Sequence, residues 1–130
     1  MEKFFNPGSV AVVGASPRRG GHQLLVNIRY GFRGSIYPVN PNYREVEGIP
    51  CFSSVEEIPG PVDLAIIFVP AGMVPPVLEQ CARKGISRVM IESAGFAETG
   101  DEGLKIQERC AAIGRDNGIR VWGPNCMGLV

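Results

Sequence analysis

The feature that most constrains this chain is a regular alternation. Short apolar runs alternate with segments of helical period, and each run ends in a turn rich in glycine, proline or asparagine. Ser9–Gly14 (SVAVVG), Ser35–Val39 (SIYPV), Asp63–Val69 (DLAIIFV), Arg88–Ile91 (RVMI) and Ile119–Trp122 (IRVW) read as five strands. Runs this short and this apolar suit strands buried on both faces, the pattern of a parallel sheet. Between them, Gln23–Tyr30 sets Leu24, Leu25 and Ile28 at helical spacing, with Gly31 as a C-cap. A second helix enters through Pro75 and Pro76, which the first helical turn tolerates because its N–H groups have no partners. It runs to about Lys84 and stops at Gly85, and a third helix spans Asp101–Asn117 and ends at Gly118. Alternation of this kind predicts right-handed crossovers. The expected fold is therefore α/β: a Rossmann-like three-layer domain with a five-stranded, mainly parallel sheet. DLAIIFV belongs at its centre. Pro38 lacks a ladder donor, which sends its strand to an edge or puts the proline in the strand's last turn. Asn40–Pro50 reads as a polar, turn-rich connection.

The 130 residues suffice for one domain and are too few for two. Thirteen basic residues balance thirteen acidic ones. No whole-molecule field draws this chain to nucleic acid or to an anionic membrane, so neither is expected as a partner. The longest uninterrupted apolar run, Leu64–Val69, falls far short of the roughly 18 residues that span a bilayer. MEKFFNPGSV has no apolar signal segment, and the expected location is cytoplasmic. Cys51, Cys81, Cys110 and Cys126 lie far apart with no CxxC pair, which argues against a zinc site, a redox motif or a disulfide framework. Cys81 and Cys110 fall on apolar helix faces and read as core, Trp122 ends a strand and reads as packing, and Cys51 follows Pro50 in a loop without an evident role.

Parallel α/β sheets bind ligands at the carboxyl ends of their strands, where the strand order reverses. Functional residues are therefore expected at 14–21, 40–44, 70–72, 92–97 and 123–128. The first of these, Gly14-Ala-Ser-Pro-Arg-Arg-Gly20-Gly21, leads from a strand into a helix, where free N–H groups favour an anion. Its spacing is wrong for NAD: the residue two after Gly14 is Ser16. The acidic residue that would hold a ribose about 20 positions further on is also absent, the second strand ending in Val39-Asn40-Pro41 instead. Arg18 and Arg19 stand in the loop, so a phosphorylated ligand other than NAD is expected.

Five short motifs combine in register: Phe5-Asn-Pro-Gly-Ser-Val-Ala-Val-Val-Gly-Ala-Ser16, Val39-Asn-Pro41, Phe68-Val-Pro-Ala71, Glu92-Ser-Ala-Gly-Phe-Ala-Glu98 and Gly123-Pro-Asn-Cys126. Together they resemble the N-terminal CoA-binding domain of the NDP-forming acyl-CoA synthetases, such as ADP-forming acetate–CoA ligase. The alpha subunit of succinyl-CoA synthetase is a more distant relative. The resemblance implies that coenzyme A is bound as a substrate. Its phosphates would lie on the first loop (Gly14, Ala15, Ser16, Arg18, Arg19, Gly20) and its adenosine beside Asn40, Pro41 and Asn42. Val69, Pro70 and Ala71 would pack on the nucleotide, Glu92 and Ser93 would line the pantetheine path, and Asn125 and Cys126 would stand near the reactive end. Many relatives carry a lysine soon after the Asn-Pro pair. Here Arg44, with Arg18 or Arg19, is expected in its place, since guanidinium groups suit phosphates.

The family's reaction (acyl-CoA + ADP + phosphate ⇌ acid + CoA + ATP) runs through a phosphorylated histidine of a second domain and an ATP-grasp domain. Residues 1–130 would be the N-terminal CoA-binding domain of such an enzyme, inactive alone, with those domains or subunits as partners. The lone histidine, His22, stands in the first loop rather than in a phospho-histidine motif, and reads as a helix cap or phosphate contact. Cys126 has no neighbouring base in sequence and reads as packing rather than a nucleophile; no catalytic residue and no metal ligand is expected. A standalone CoA-binding protein and an NAD-binding Rossmann domain are the alternatives. The end of the chain just after Gly123-Pro-Asn-Cys126, where the family continues into its next domain, favours the synthetase part.

Overall fold

The computed structural model describes residues 8–15, 34–92 and 100–122. In chain order they form β1 (Ser9–Val13), β2 (Ser35–Val39), β3 (Glu45–Val46), β4 (Ile49–Pro50), β5 (Leu64–Ile67), α1 (Val74–Lys84), β6 (Arg88–Ile91), α2 (Asp101–Asn117) and β7 (Arg120–Trp122). Five strands make one parallel sheet in the order β2-β1-β5-β6-β7. The α/β, Rossmann-like expectation holds. The helix expected over Gln23–Tyr30 lies outside the described residues.

Every residue of β1 and of β5 is buried, which is why these two strands read as unbroken apolar runs. On one face Ala11, Val13, Ala65, Ile67, Val89 and Ile91 join Val77, Leu78 and Cys81 of α1 and Cys110 and Ile113 of α2 in the main core. On the other face Val10, Val12, Leu64 and Ile66 form a second core with Ala15 and Val46, against which Trp122 packs. The central place expected for DLAIIFV is observed, although its strand is shorter, Leu64–Ile67. β2 is an edge strand with Pro38 as its fourth residue. The Pro38 carbonyl accepts from Phe52 N–H at 2.9 Å on the outer side, and the Phe52 carbonyl accepts from Asn40 N–H at 2.8 Å. In extended backbone N–H and C=O of one residue point the same way, so the donor that Pro38 lacks would have faced outward, away from β1.

The helices end as read. Gly85 (φ 88°) and Gly118 (φ 67°) close α1 and α2 in the left-handed region. α1 buries Val74, Val77, Leu78 and Cys81, spaced to form one stripe. The connection Asn40–Pro50 is more ordered than its composition suggests. β3 and β4 pair antiparallel about Glu47 (φ 53°) and Gly48 (φ 76°), both left-handed as a tight two-residue hairpin requires. This hairpin carries Val46, 1% exposed, into the second core. Among the described residues no helix is long and apolar enough to cross a membrane.

Candidate ligand-binding site

Because β1 is flanked by β2 on one side and β5 on the other, the connections leaving β1 and β5 diverge at their carboxyl ends and open a crevice there. A cavity of about 430 Å³ occupies that crevice. One wall is made by Gly14 and by Asn40, Pro41, Asn42 and Tyr43 after β2; the facing wall is Phe68, Val69 and Pro70 after β5. Met73, Val77 and Gln80, one face of the α1 region, close the third side, and Val13, Val39 and Ser53 complete the lining.

The β1 wall is held at its root. Gly14 N–H donates to Val39 O at 2.9 Å, and Phe68 N–H donates to Val13 O at 2.8 Å. Gly14 has φ 97°, and a Cβ there would lie 2.0 Å from the Phe68 carbonyl oxygen, so only glycine lets the chain turn at this point. Asn40 ties the neighbouring loops together. Its Nδ2 donates to Ala15 O at 3.0 Å, and its Oδ1 accepts from Asn42 N–H at 2.9 Å. Its carbonyl accepts from Tyr43 N–H at 3.3 Å and takes the Cys51 thiol at 3.6 Å. Burial pushes the Cys51 thiol above its ordinary 9.0, so it stands as a neutral thiol under the loop.

None of its described lining residues is Lys, Arg, His, Asp or Glu. Its mouth is apolar. Of the three large hydrophobic side chains exposed among the described residues, Phe68 (38%) and Met73 (55%) both stand here. Among the described residues, the side chains of Asn42, Tyr43, Ser53 and Gln80 have no hydrogen-bond partner. An apolar cleft with a few unspent hydrogen-bonding groups is the make-up of a small-molecule site. Among its described lining residues no nucleophile is paired with a base. Among the described residues no three His, Cys, Asp or Glu side chains are grouped as a metal would need.

Of the residues read from sequence, Gly14, Asn40, Pro41, Asn42, Val69 and Pro70 meet at this cavity. Ala15 is fully buried behind it and contributes its carbonyl to Asn40. Ala71 is 8% exposed and belongs to the main core rather than to the lining. Arg44 is exposed just past the lining, its carbonyl accepting from Cys51 N–H at 2.8 Å. Glu92 is half-buried at the end of β6, its N–H donating to Ile67 O at 2.9 Å, and does not line the cavity. Ser16, Arg18, Arg19, Gly20, His22, Ser93, Asn125 and Cys126 lie outside the described residues. Tyr43, Ser53, Met73, Val77 and Gln80 were not singled out by the sequence. The one available signal was the spacing of Met73, Val77 and Gln80 on a common helix face, directly after the Phe68–Ala71 motif.

The profile of the CoA binding domain family matches residues 8–130. ADP-forming acetate–CoA ligase I of Archaeoglobus fulgidus is 46% identical over 132 residues, which cover 100% of this chain and 19% of the ligase. The alpha subunit of ADP-forming acetate–CoA ligase II of Pyrococcus furiosus is 43% identical, covering 100% of this chain and 29% of the subunit. Among solved structures, the apo form of a dinucleotide-forming acetyl-coenzyme A synthetase 1 of Ca. Korarchaeum cryptofilum superposes with a TM-score of 0.88 at 38% identity, covering 95% of this chain and 27% of that one. The chain thus spans under a third of the length of these relatives.

Proposed function

This chain belongs to the CoA binding domain family, and from that premise we propose that it binds coenzyme A in the cavity at the carboxyl ends of β1 and β5. The observation that carries this reading is a coincidence of two independent lines. The cavity falls at the switch point of the sheet, and its described walls include Gly14, the Val39–Pro41 motif and the Phe68–Pro70 turn. A purine nucleoside needs flat apolar contact and a few hydrogen bonds at its edge, and that is what Phe68, Val77, Tyr43 and Gln80 offer. The adenosine therefore lies between the Asn40–Tyr43 wall and α1.

The phosphates follow the backbone that starts at Gly14 and Ala15 and continues through Ser16, Arg18, Arg19 and Gly20, with Arg44 as an exposed cation beside them. The pantetheine runs past Glu92 and Ser93 toward Asn125 and Cys126. Residues 1–130 act as the N-terminal CoA-binding domain of an NDP-forming acyl-CoA synthetase of the cytoplasm. They supply the thiol substrate, while a phospho-histidine domain and an ATP-grasp domain carry the phosphoryl relay. Alone, the chain catalyses no acyl transfer.

Parallel calorimetric titration with CoA, dephospho-CoA and NAD tests the reading. Micromolar CoA binding, weakened at least tenfold (about 1.4 kcal/mol) when the 3′-phosphate is removed, is the expected result. Tight NAD binding with no response to CoA would overturn it.

A further inference from the structure

We propose that Asn40, besides lining the cavity, is a positioning residue, a clasp that fixes where the chain leaves β1 and acts on the phosphate end of the ligand through Ala15. The inference rests on the CoA reading of the cavity and assigns Asn40 a role different from its neighbours. Asn42, Tyr43, Ser53 and Gln80 bring to the cavity side chains with no partner among the described residues, whereas Asn40 is engaged at every polar atom it has. Its N–H donates to Phe52 O and its carbonyl accepts from Tyr43 N–H. Its Oδ1 accepts from Asn42 N–H, and its Nδ2 spans 25 residues of sequence to the Ala15 carbonyl at 3.0 Å.

That last bond is the decisive one. Ala15 is 0% exposed, and a buried carbonyl left without a donor is costly, so the amide of Asn40 dictates which way the Ala15 peptide faces. Gly14, one residue earlier, has already turned at φ 97° and given its N–H to Val39 O. The Gly14–Val39 and Ala15–Asn40 bonds together lock the start of the loop after β1 to the end of β2. Backbone groups that are to meet phosphates must point one way before the ligand arrives, and preorganisation of this kind raises affinity without any direct contact.

Asn40→Ser and Asn40→Ala in the full chain test this. Serine keeps an acceptor close enough for Asn42 N–H but cannot reach Ala15, so it removes the clasp and spares the local turn. Both variants are expected to bind CoA at least about tenfold more weakly than the wild type, with adenosine affinity falling by a clearly smaller factor. In the ligand-free proteins, the backbone amide resonances of Gly14 and Ala15 are expected to move. A serine variant that binds CoA like the wild type would overturn the clasp, as would an adenosine affinity that falls by the same factor as that for CoA. Unmoved Gly14 and Ala15 amides in ligand-free Asn40→Ser would overturn it whether or not CoA binds. A wild type silent to CoA would instead sink the reading of the cavity, and the ligand-free spectra tell the two failures apart.

Discussion

The two ends of the sheet are built from the same bonds and do opposite things. At the amino end, Ser9 Oγ donates to Pro61 O at 2.9 Å and accepts from Asp63 N–H at 3.0 Å. Gly8 N–H donates to Asp63 Oδ2 at 2.7 Å, Ser35 N–H donates to Gly8 O at 3.0 Å, and the Lys84 ammonium caps the Ile58 carbonyl. These groups answer one another, although Arg88 Nε at the start of β6 is buried without a partner among the described residues. At the carboxyl end the backbone is tied as firmly, through Gly14, Val39 and Asn40, yet a cavity of about 430 Å³ stays open beside the ties. The difference is in the side chains: those of Ser9 and Asp63 bond to neighbouring backbone, while those of Asn42, Tyr43, Ser53 and Gln80 line the cavity with no partner among the described residues. A fold can be equally well bonded at both ends and still reserve one for a ligand.

The largest effect expected from breaking this contrast is at Gly14. Gly14→Ala forces a Cβ into the Phe68 carbonyl at φ 97°, and should lower unfolding free energy by at least about 3 kcal/mol, from left-handed strain plus overpacking. Urea denaturation reads the loss, and a drop under about 1 kcal/mol would mean that the root of the cavity is pliable. Ser9→Ala attacks the amino end. It removes a buried donor–acceptor pair and should cost about 1–2 kcal/mol of stability while leaving CoA affinity within about twofold. If affinity fell in step with stability, the two ends would not be independent. Gln80→Ala is the mirror image: stability should hold within about 0.5 kcal/mol, as for most surface changes, while CoA affinity falls several-fold in the same calorimetric assay. Arg44→Ala should weaken CoA binding by about two- to fivefold, an exposed cation near a phosphate being worth at most about 1 kcal/mol; a smaller change would remove Arg44 from the phosphate site.

The smallest effect concerns the core between the two ends. Burial pushes the Cys81 thiol up to about 12 and the Cys110 thiol up to about 11, from an ordinary 9.0. A raised folded-state pKa means that the folded protein holds its protons where the unfolded chain has released them. Stability is thus full below about pH 9 and is lost as pH rises through 9 toward 11 and 12. Thermal melts between pH 8 and pH 10 should show the onset of that decline, and Cys81→Ala should flatten it. An unchanged slope would place the loss elsewhere.

The sheet was legible because strands buried on both faces leave continuous apolar runs, and the helix ends because Gly85 and Gly118 take backbone angles that suit glycine. The β3–β4 hairpin was not, since two-residue strands carry no period and only Val46 among them is buried. The loop side of the cavity was legible through motifs, Gly14, Asn40, Pro41, Val69 and Pro70 all arriving where the strands end. The helix side was not: Met73, Val77 and Gln80 reach the cavity only through the way α1 docks on the sheet, which local sequence does not specify. The same limit applies to Ala71, which the resemblance assigns to the nucleotide and the fold buries in the main core, and to Cys51, whose contact with the Asn40 carbonyl depends on the hairpin.

Amide chemical-shift mapping of the isotopically labelled chain on addition of CoA tests the central claim most directly. The account predicts that the amides of Gly14, Asn40, Asn42, Tyr43, Val69 and Gln80 move together and saturably, while those of Ser9, Asp63, Ser87 and Arg120 at the amino end stay in place. Shifts confined to the amino end, or no shifts at CoA concentrations that saturate binding by calorimetry, would contradict it.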